Sequence, residues 1–578
     1  MKTTTKTTGL RYWMLQVLEE CDHVSADFSA DPVHDLRVSL RRCRSMADGL
    51  MAMDPDPNWK AMKKAGKRLF QRLGELRDVQ IMMEWIEKLH PDVGREPDVR
   101  REKPAQASEE RSEKGIERGI EKGIEKGSVE RALLPATPAA EQSSGKTPDA
   151  APATAETNSD PAFTLLAILR HRETEQKREA RAALEEFDCK QWRQWSKTLP
   201  LRAAHIRPGS AVFKHLALER WTAARELHIR AMRNRSQVAL HTLRIGIKRF
   251  RYIVENFLPV EHQTWSKDLK HMQDLLGEVH DLDVLWAAAL SHRIFPDQDS
   301  RKAWHERIVE ERTKRIEEYR EKTIGPDSLW NVWRVGLPQG KQIQEVATRR
   351  LKLWAKVLDP DFAHSERVAR LALELYDGLG KIRLLGTAPE TTNGSGVEAR
   401  SSLYAAALLH DVGKSTGNKG HHKASRELIK AHGAPLGWSE ETMQRAAVVA
   451  RFHCGALPIP SHKAFRDLLP NEQRLIIRLS AILRLANALD AAHDGHIRRI
   501  QIEKSQIANE AGKPPSRTRR TNGFLRKPPT LGKNEALIIS ADGYLPGSPT
   551  AQTIAAERYL LETVLRRPVV VRPASEPR

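Results

Sequence analysis

Cysteine is scarce in this chain of 578 residues: Cys21, Cys43, Cys189 and Cys454 are scattered, and no two form a CxxC pair. That excludes a disulfide framework and a zinc site of the usual thiolate spacing, and it reads as reduced cysteine in a cytoplasmic protein. Aromatic residues are few, at 6%, while 29% of residues are charged. Such a balance suits long, solvated helices better than sheets. No run of about 18 uncharged apolar residues occurs, so no membrane span is expected. Met1–Leu10 is Thr-rich and polar, without the apolar core of a signal segment. A glycine-rich phosphate loop is also missing.

What is present is positive charge. The formal net charge is +20, so the default partner is polyanionic: nucleic acid, anionic lipid or polyphosphate. Length alone argues for more than one domain. Helical periodicity fills residues 1–94. The stretch 95–160 then contains the repeat GIERGIEKGIEKG (Gly115–Gly127) and an Ala/Pro/Thr/Ser-rich run, and is expected to be a disordered insertion. A second helical stretch covers 161–325 and a linker 326–344. A further helical domain covers 345–496, with polar loops near 386–400 and 504–533. The tail, 497–578, holds the β-like runs IRRIQIE, EALIISA and RRPVVVRP around the helix TIAAERYLLETVL. The expected fold class is mainly α: a two-lobed helical bundle, an all-helical domain, and a small α/β appendage.

An internal repeat is the most informative feature of the first half. HDLRVSLRRCR begins at His34 and HTLRIGIKRFR at His241; LGELRDV (Leu73–Val79) and LGEVHDL (Leu276–Leu282) follow each at nearly the same distance. Two motifs in one order, twice, mark a duplicated helical unit. On a helix His34, Arg37, Arg41 and Arg44 fall within an arc of about 80°, and His241, Arg244, Lys248 and Arg251 do the same. Like charges at these spacings repel, and a polyanion laid along the stripe relieves that cost. Further basic candidates are Lys60, Lys64 and Lys67, then Lys267 and Lys270. Residues 1–95 hold 16 basic and 14 acidic residues, so clustering carries the argument, not excess. No aromatics interleave the stripes for base stacking, which disfavours nucleic acid. These motifs resemble the CHAD family, the conserved-histidine α-helical domains. The resemblance implies two helical bundles related by pseudo-symmetry about a basic cavity, with inorganic polyphosphate as ligand and an association with polyphosphate granules.

The second half carries a histidine–aspartate series. His364 opens FAHSERVARLALEL; His410 and Asp411 end LYAAALLHD, followed by VGK with Lys414; His421 and His422 stand in GNKGHHKAS, His453 in ARFHCGALP, and Asp490 in LRLANALD. Imidazole nitrogens with carboxylate oxygens suit a divalent transition metal, Mn among them, better than Mg. His364, His410, Asp411 and Asp490 are candidates for one ion. His421 or His422 with His453 could hold a second; His422 is the one carried forward. Asp411 doubles as a group that orients water, and Lys414 and Arg451 offset phosphoryl charge.

This order resembles the HD phosphohydrolase superfamily and, more closely, the C-terminal HD part of exopolyphosphatase/guanosine pentaphosphate phosphohydrolase proteins. In that family exopolyphosphatase chemistry belongs to an actin-like ATPase domain for which this chain has no room, so that activity does not carry over by name. The expected function is a polyphosphate-binding protein with a metal-dependent phosphohydrolase domain acting on a phosphoester or phosphoanhydride, such as polyphosphate or a guanosine penta- or tetraphosphate. The alternative is a non-catalytic polyphosphate-binding or regulatory protein with a structural HD domain.

Overall fold

The computed structural model describes residues 9–26, 28–91, 160–384, 395–506 and 535–574. The expected insertion, 95–160, lies outside them except for Asp160, as does most of the two polar loops. Leaving aside residues 53–55, the described chain divides between Gln339 and Gly340 into two compact units.

The first unit is helical: α1 (Leu10–Ala26), α2 (Ala30–Leu50), α3 (Pro57–Ala65), α4 (Lys67–Leu89), α5 (Pro161–Glu185), α6 (Cys189–Ala203), α7 (Ala211–Asn234), α8 (Gln237–Phe257), α9 (Pro259–Ser291), α10 (Gln298–Thr323) and α11 (Leu329–Val335). Local chemistry starts several of them. Asp56 and Asp160 each accept a backbone N–H at the head of a helix whose first residue is proline, and Ser236 does so for α8. Each device satisfies one of the donors a helix start leaves open. The duplication is visible in the packing: α1 lies on α2 and α4 on α5, while α7 lies on α8 and α9 on α10. The repeat helices α2 and α8 pack directly on each other, joined by Asn256 donating to Ser45 Oγ (2.9 Å) and by an Arg42–Glu255 ion pair. Helices α4, α5, α9 and α10 share one core, with Ile86, Leu165, Leu169, Leu285 and Trp304 inside it.

One expectation fails here. Residues 326–344 are not a linker throughout: α11 forms within them, and its Trp330 and Trp333 are fully buried. Trp330 packs edge-on to Trp221 and Trp333 packs on Phe250. Two indoles spaced i, i+3 put about 150–250 Å² each into a core, which outweighs the Gly/Pro-rich flanks that suggested a boundary.

The second unit holds α12 (Lys341–Leu358), α13 (Phe362–Lys381), α14 (Ser395–Leu409), a 3₁₀ turn (Val412–Thr416), α15 (His421–His432), α16 (Glu440–Arg451), α17 (Lys463–Arg466) and α18 (Pro470–Leu489). Strands β1 (Ile500–Gln506) and β2 (Glu535–Ala541) pair antiparallel, and α19 (Pro549–Leu565) crosses over to β3 (Val569–Pro573), which is parallel to β2. Leu537, Ile539, Ile554, Leu561 and Val569 belong to the same core as Val368, Leu375, Leu409 and Leu485. The strands and α19 form the expected small α/β appendage, and its inner face joins the helical domain's core. No helix among the described residues is long and apolar enough to cross a membrane.

Candidate functional site

In the second unit, helix ends converge. His364 stands in the first turn of α13. His410 and Asp411 follow α14, His421 and His422 open α15, His453 follows α16, and Asp490 follows α18. The turn after Asp411 is pressed against α15. Gly413 N–H donates to Ser425 Oγ (2.9 Å), and that hydroxyl donates to His410 O (2.6 Å). A Cβ on Gly413 would lie 2.1 Å from His421 O and 2.5 Å from Ser425 N. Only glycine permits that approach, and the approach is what brings His421 to Asp411.

Three imidazoles are oriented alike. His410 Nδ1 donates to Ala407 O (2.7 Å), His453 Nδ1 to Ala450 O (2.7 Å) and His421 Nδ1 to Asn418 O (2.9 Å). A neutral imidazole whose Nδ1–H is spent on a carbonyl presents a lone pair at Nε2. All three Nε2 atoms face Asp411: His410 at 3.4 Å from Oδ2, His421 at 3.3 Å and His453 at 3.6 Å from Oδ1. The Nε2 atoms of His421 and His453 lie only 3.1 Å apart. Two lone pairs at that distance repel unless a cation lies between them. Burial lowers the pKa of His410 and carries that of His453 well below the ordinary range, so both are neutral at pH 7. Burial pushes Asp411 upward, but its neighbours His410, His453 and Lys414 outweigh burial and hold the carboxyl well below the usual range. With those imidazoles neutral, Lys414, 2.5 Å from Oδ2, is the cation that faces Asp411. His410 Nε2 and Asp411 Oδ1 are buried and have no hydrogen-bond partner among the described residues.

The remaining candidates are placed differently. His364, His410 and Asp411 can bring ligand atoms within 4.8 Å of one another, as can Asp411, His421 and His453; Asp411 is common to both sets. Asp490 is in neither set. It accepts from His364 Nδ1 (2.7 Å), from Arg367 Nε (2.9 Å) and from Gly495 N (3.1 Å), so it backs His364 as an orienting carboxylate. His364 Nε2 lies 2.9 Å from Asn487 Oδ1, a neighbour one helical turn before Asp490 that the sequence reading passed over. Of the adjacent histidines, His421 reaches Asp411; His422 instead turns Nδ1 toward Cys454 Sγ, 3.7 Å away. Arg451 packs over Phe452 (5.2 Å). Its charge is felt at His422, and its Nη1 is buried without an acceptor among the described residues.

In the first unit, the motif cations are not a solvated stripe. Arg37, Arg41, Arg44, Arg244 and Arg251 are all buried, while Lys60, Lys64, Lys67 and Lys267 are exposed and His34, His241, Lys248 and Lys270 half-buried. Arg37 and Arg44 lie over Phe70, and Arg41 and Lys248 over Tyr252, so aromatic rings do interleave these cations, as cation–π partners from neighbouring positions. Burial pushes the Arg41 guanidinium down to about 10, and lowers Arg37 and Arg244 as well. Asp78, from the second motif of the first copy, offsets charge on Arg37 and Arg244 together. The two copies therefore converge on one cluster. The motif histidines are half-buried: burial lowers the pKa of His34 and of His241, and His241 Nδ1 meets His280 Nδ1 at 3.2 Å.

Comparison with known families agrees with this division. Residues 14–290 match the model of the CHAD domain, and residues 343–516 match that of the Ppx/GppA phosphatase, domain III. No curated protein matches the chain. The chain thus joins a CHAD domain to a domain III of the Ppx/GppA phosphatase kind.

Proposed function

We propose that the first unit captures inorganic polyphosphate through its converged arginines, and that the second is a metal-dependent phosphohydrolase centred on Asp411. The observation behind the second half is the common orientation of His410, His421 and His453, each backed by a carbonyl and turned toward one buried carboxylate. The residues fit a divalent transition ion: neutral imidazole nitrogen with carboxylate oxygen is the donor set such ions take, and His410 Nε2 and Asp411 Oδ1 are buried without a hydrogen bond among the described residues. His410, Asp411, His421 and His453 would hold it, and His364, which can bring a ligand atom within 4.8 Å of those of His410 and Asp411, is the candidate for a second ion. A bound ion supplies charge to a phosphoryl group and lowers the pKa of water. The chain's own groups do the rest. Lys414 and Arg451 are cations for the phosphoryl oxygens. Asp411 accepts a proton or a hydrogen bond from the attacking water, and the backing carbonyls fix the imidazole tautomers. Asp490 and Arg367 hold His364 in place.

The reading is tested on the purified full chain by metal analysis and a phosphate-release screen. The screen covers polyphosphate, guanosine penta- and tetraphosphate, cyclic nucleotides and nucleoside triphosphates. One or two equivalents of transition metal, with phosphate released from at least one substrate, is the expected result. A protein that binds polyphosphate but holds no metal and releases no phosphate would be a binding protein alone.

A further inference from the structure

Cys454 was expected to be a reduced thiol outside any zinc site, yet it sits in a ligand set of its own. Its Sγ lies 3.8 Å from His421 Nε2 and 3.7 Å from His422 Nδ1. The three ligand atoms are all within 4.8 Å of one another, and the three residues are half-buried, so an ion can reach them from solvent. A tetrahedral ion with a metal–sulfur bond of about 2.3 Å and metal–nitrogen bonds of about 2.05 Å sets its sulfur and nitrogen ligands about 3.6 Å apart. Both observed edges are within about 0.2 Å of that value. Thiolate with two imidazoles is a softer set than the oxygen-bearing one around Asp411, and it selects a different class of metal.

The set is held from behind. Arg484 donates to Phe452 O (3.2 Å) and to Gly455 O (3.3 Å), the carbonyls on either side of the His453–Cys454 pair, while its Nε is tied to Glu557 (2.7 Å). Gly455 takes φ +67°, which turns the chain just after the thiol. Such backing fixes the ligands before an ion arrives.

We propose that His421, His422 and Cys454 form a soft-metal site for a thiophilic divalent ion such as Zn(II) or Cd(II), and that its occupation withdraws His421 from Asp411. The exclusion follows from one atom: His421 Nε2 faces both Cys454 and Asp411 and has a single lone pair to give. On binding, the thiol yields its proton to solvent and the thiolate takes the ion. Capture of the ion stands on these three side chains; only the competition rests on the Asp411 reading.

The test titrates the metal-stripped full chain with Cd(II) and follows the thiolate-to-metal charge-transfer band in the near ultraviolet. A band saturating at one equivalent is expected. It should vanish in Cys454→Ser, persist in Asp411→Asn, and require more Cd(II) when Mn(II) is present in excess. Cadmium NMR of the wild type reads the same donor set without any substitution, as one sulfur with nitrogen neighbours. No band, a band that survives Cys454→Ser, or one lost in Asp411→Asn would each overturn the proposal. A normal band in a protein that takes up no Mn(II) removes the Asp411 reading and leaves the soft site standing.

Discussion

The two units solve opposite electrostatic problems with the same device. In the first, five arginines of α2 and α8 are buried, three of them over Phe70 or Tyr252, so positive charge is concentrated where water is scarce. In the second, a buried carboxylate is ringed by imidazole lone pairs, so electron density is concentrated instead. Burying charge costs several kcal/mol per ion unless opposite charge is supplied. Opposite charge within the chain meets part of that cost, Asp78 against Arg37 and Arg244, Glu255 against Arg251, and Lys414 against Asp411; the proposed function adds an anion in the first unit and a cation in the second. The lesson is that burial, more than net charge, separates these charged side chains from a solvated helix face.

The comparison can be broken most directly at Asp411. Asp411→Asn keeps the shape and removes the charge; metal content should fall, and any phosphate release should drop by more than about 100-fold, beyond the usual effect of losing an outer partner. Polyphosphate affinity should not change. Loss of polyphosphate binding together with metal would show that the two clusters are not independent.

The arginine cluster comes next. Arg41→Met and Lys248→Met together should weaken polyphosphate binding about 10-fold or more and flatten its salt dependence, by extension from the counterion release seen with nucleic acids. Helix content should be unchanged. A drop in Tm alongside the lost affinity would mean that these side chains brace the helices.

A smaller effect is expected at Gly413. Gly413→Ala forces a methyl into His421 O and Ser425 N, at a cost of roughly 2–3 kcal/mol read by thermal unfolding. Metal affinity should fall in step, since the same approach carries His421 to Asp411. An alanine variant with unchanged metal content would separate the turn from the centre.

The smallest sharpens the first unit alone. Burial, with Arg225 nearby, pushes the His228 imidazole down to about 4 from 6.5, where it bonds Tyr319 OH (3.0 Å). As pH falls below 6.5 the unfolded chain takes up a proton that the folded one refuses, so stability is lost between pH 6.5 and about 4. His228→Phe should flatten the fall in Tm across that window. An unchanged pH profile would show that this histidine does not set it.

Much of this was legible in the chain. The duplicated H-x-L-R motif, and the LLHDVGK turn with histidines before and after it, are short-range patterns, and short-range patterns survive in sequence. The adjacent pair His421–His422 is the counterexample. Neighbours at a helix start diverge by about 100°, and which one faces Asp411 is set by Ser425 and Gly413 locking the register of α15. Nothing in GNKGHHKAS states that. Cys454 was passed over because its partners are not cysteines at a familiar spacing but histidines 32 and 33 residues away.

The sequence by itself determined the helices, the duplication, the order of the histidine–aspartate series and the mainly α class, because periodicity, caps and glycine turns act within a few residues. Only the tertiary structure decided that the arginine stripes are buried. In α2 an apolar residue stands before each cation, Leu36 before Arg37, Leu40 before Arg41 and Cys43 before Arg44. Such a helix buries one stripe in any bundle; it buries both only when a second helix, α8, lies across it. The same holds for the appendage, whose strands read as such in the sequence, whereas only the structure places Leu537 and Ile539 in one core with residues of α13 and α18. A side chain's environment is made by residues far away in the chain, and that distance is what local pattern cannot carry.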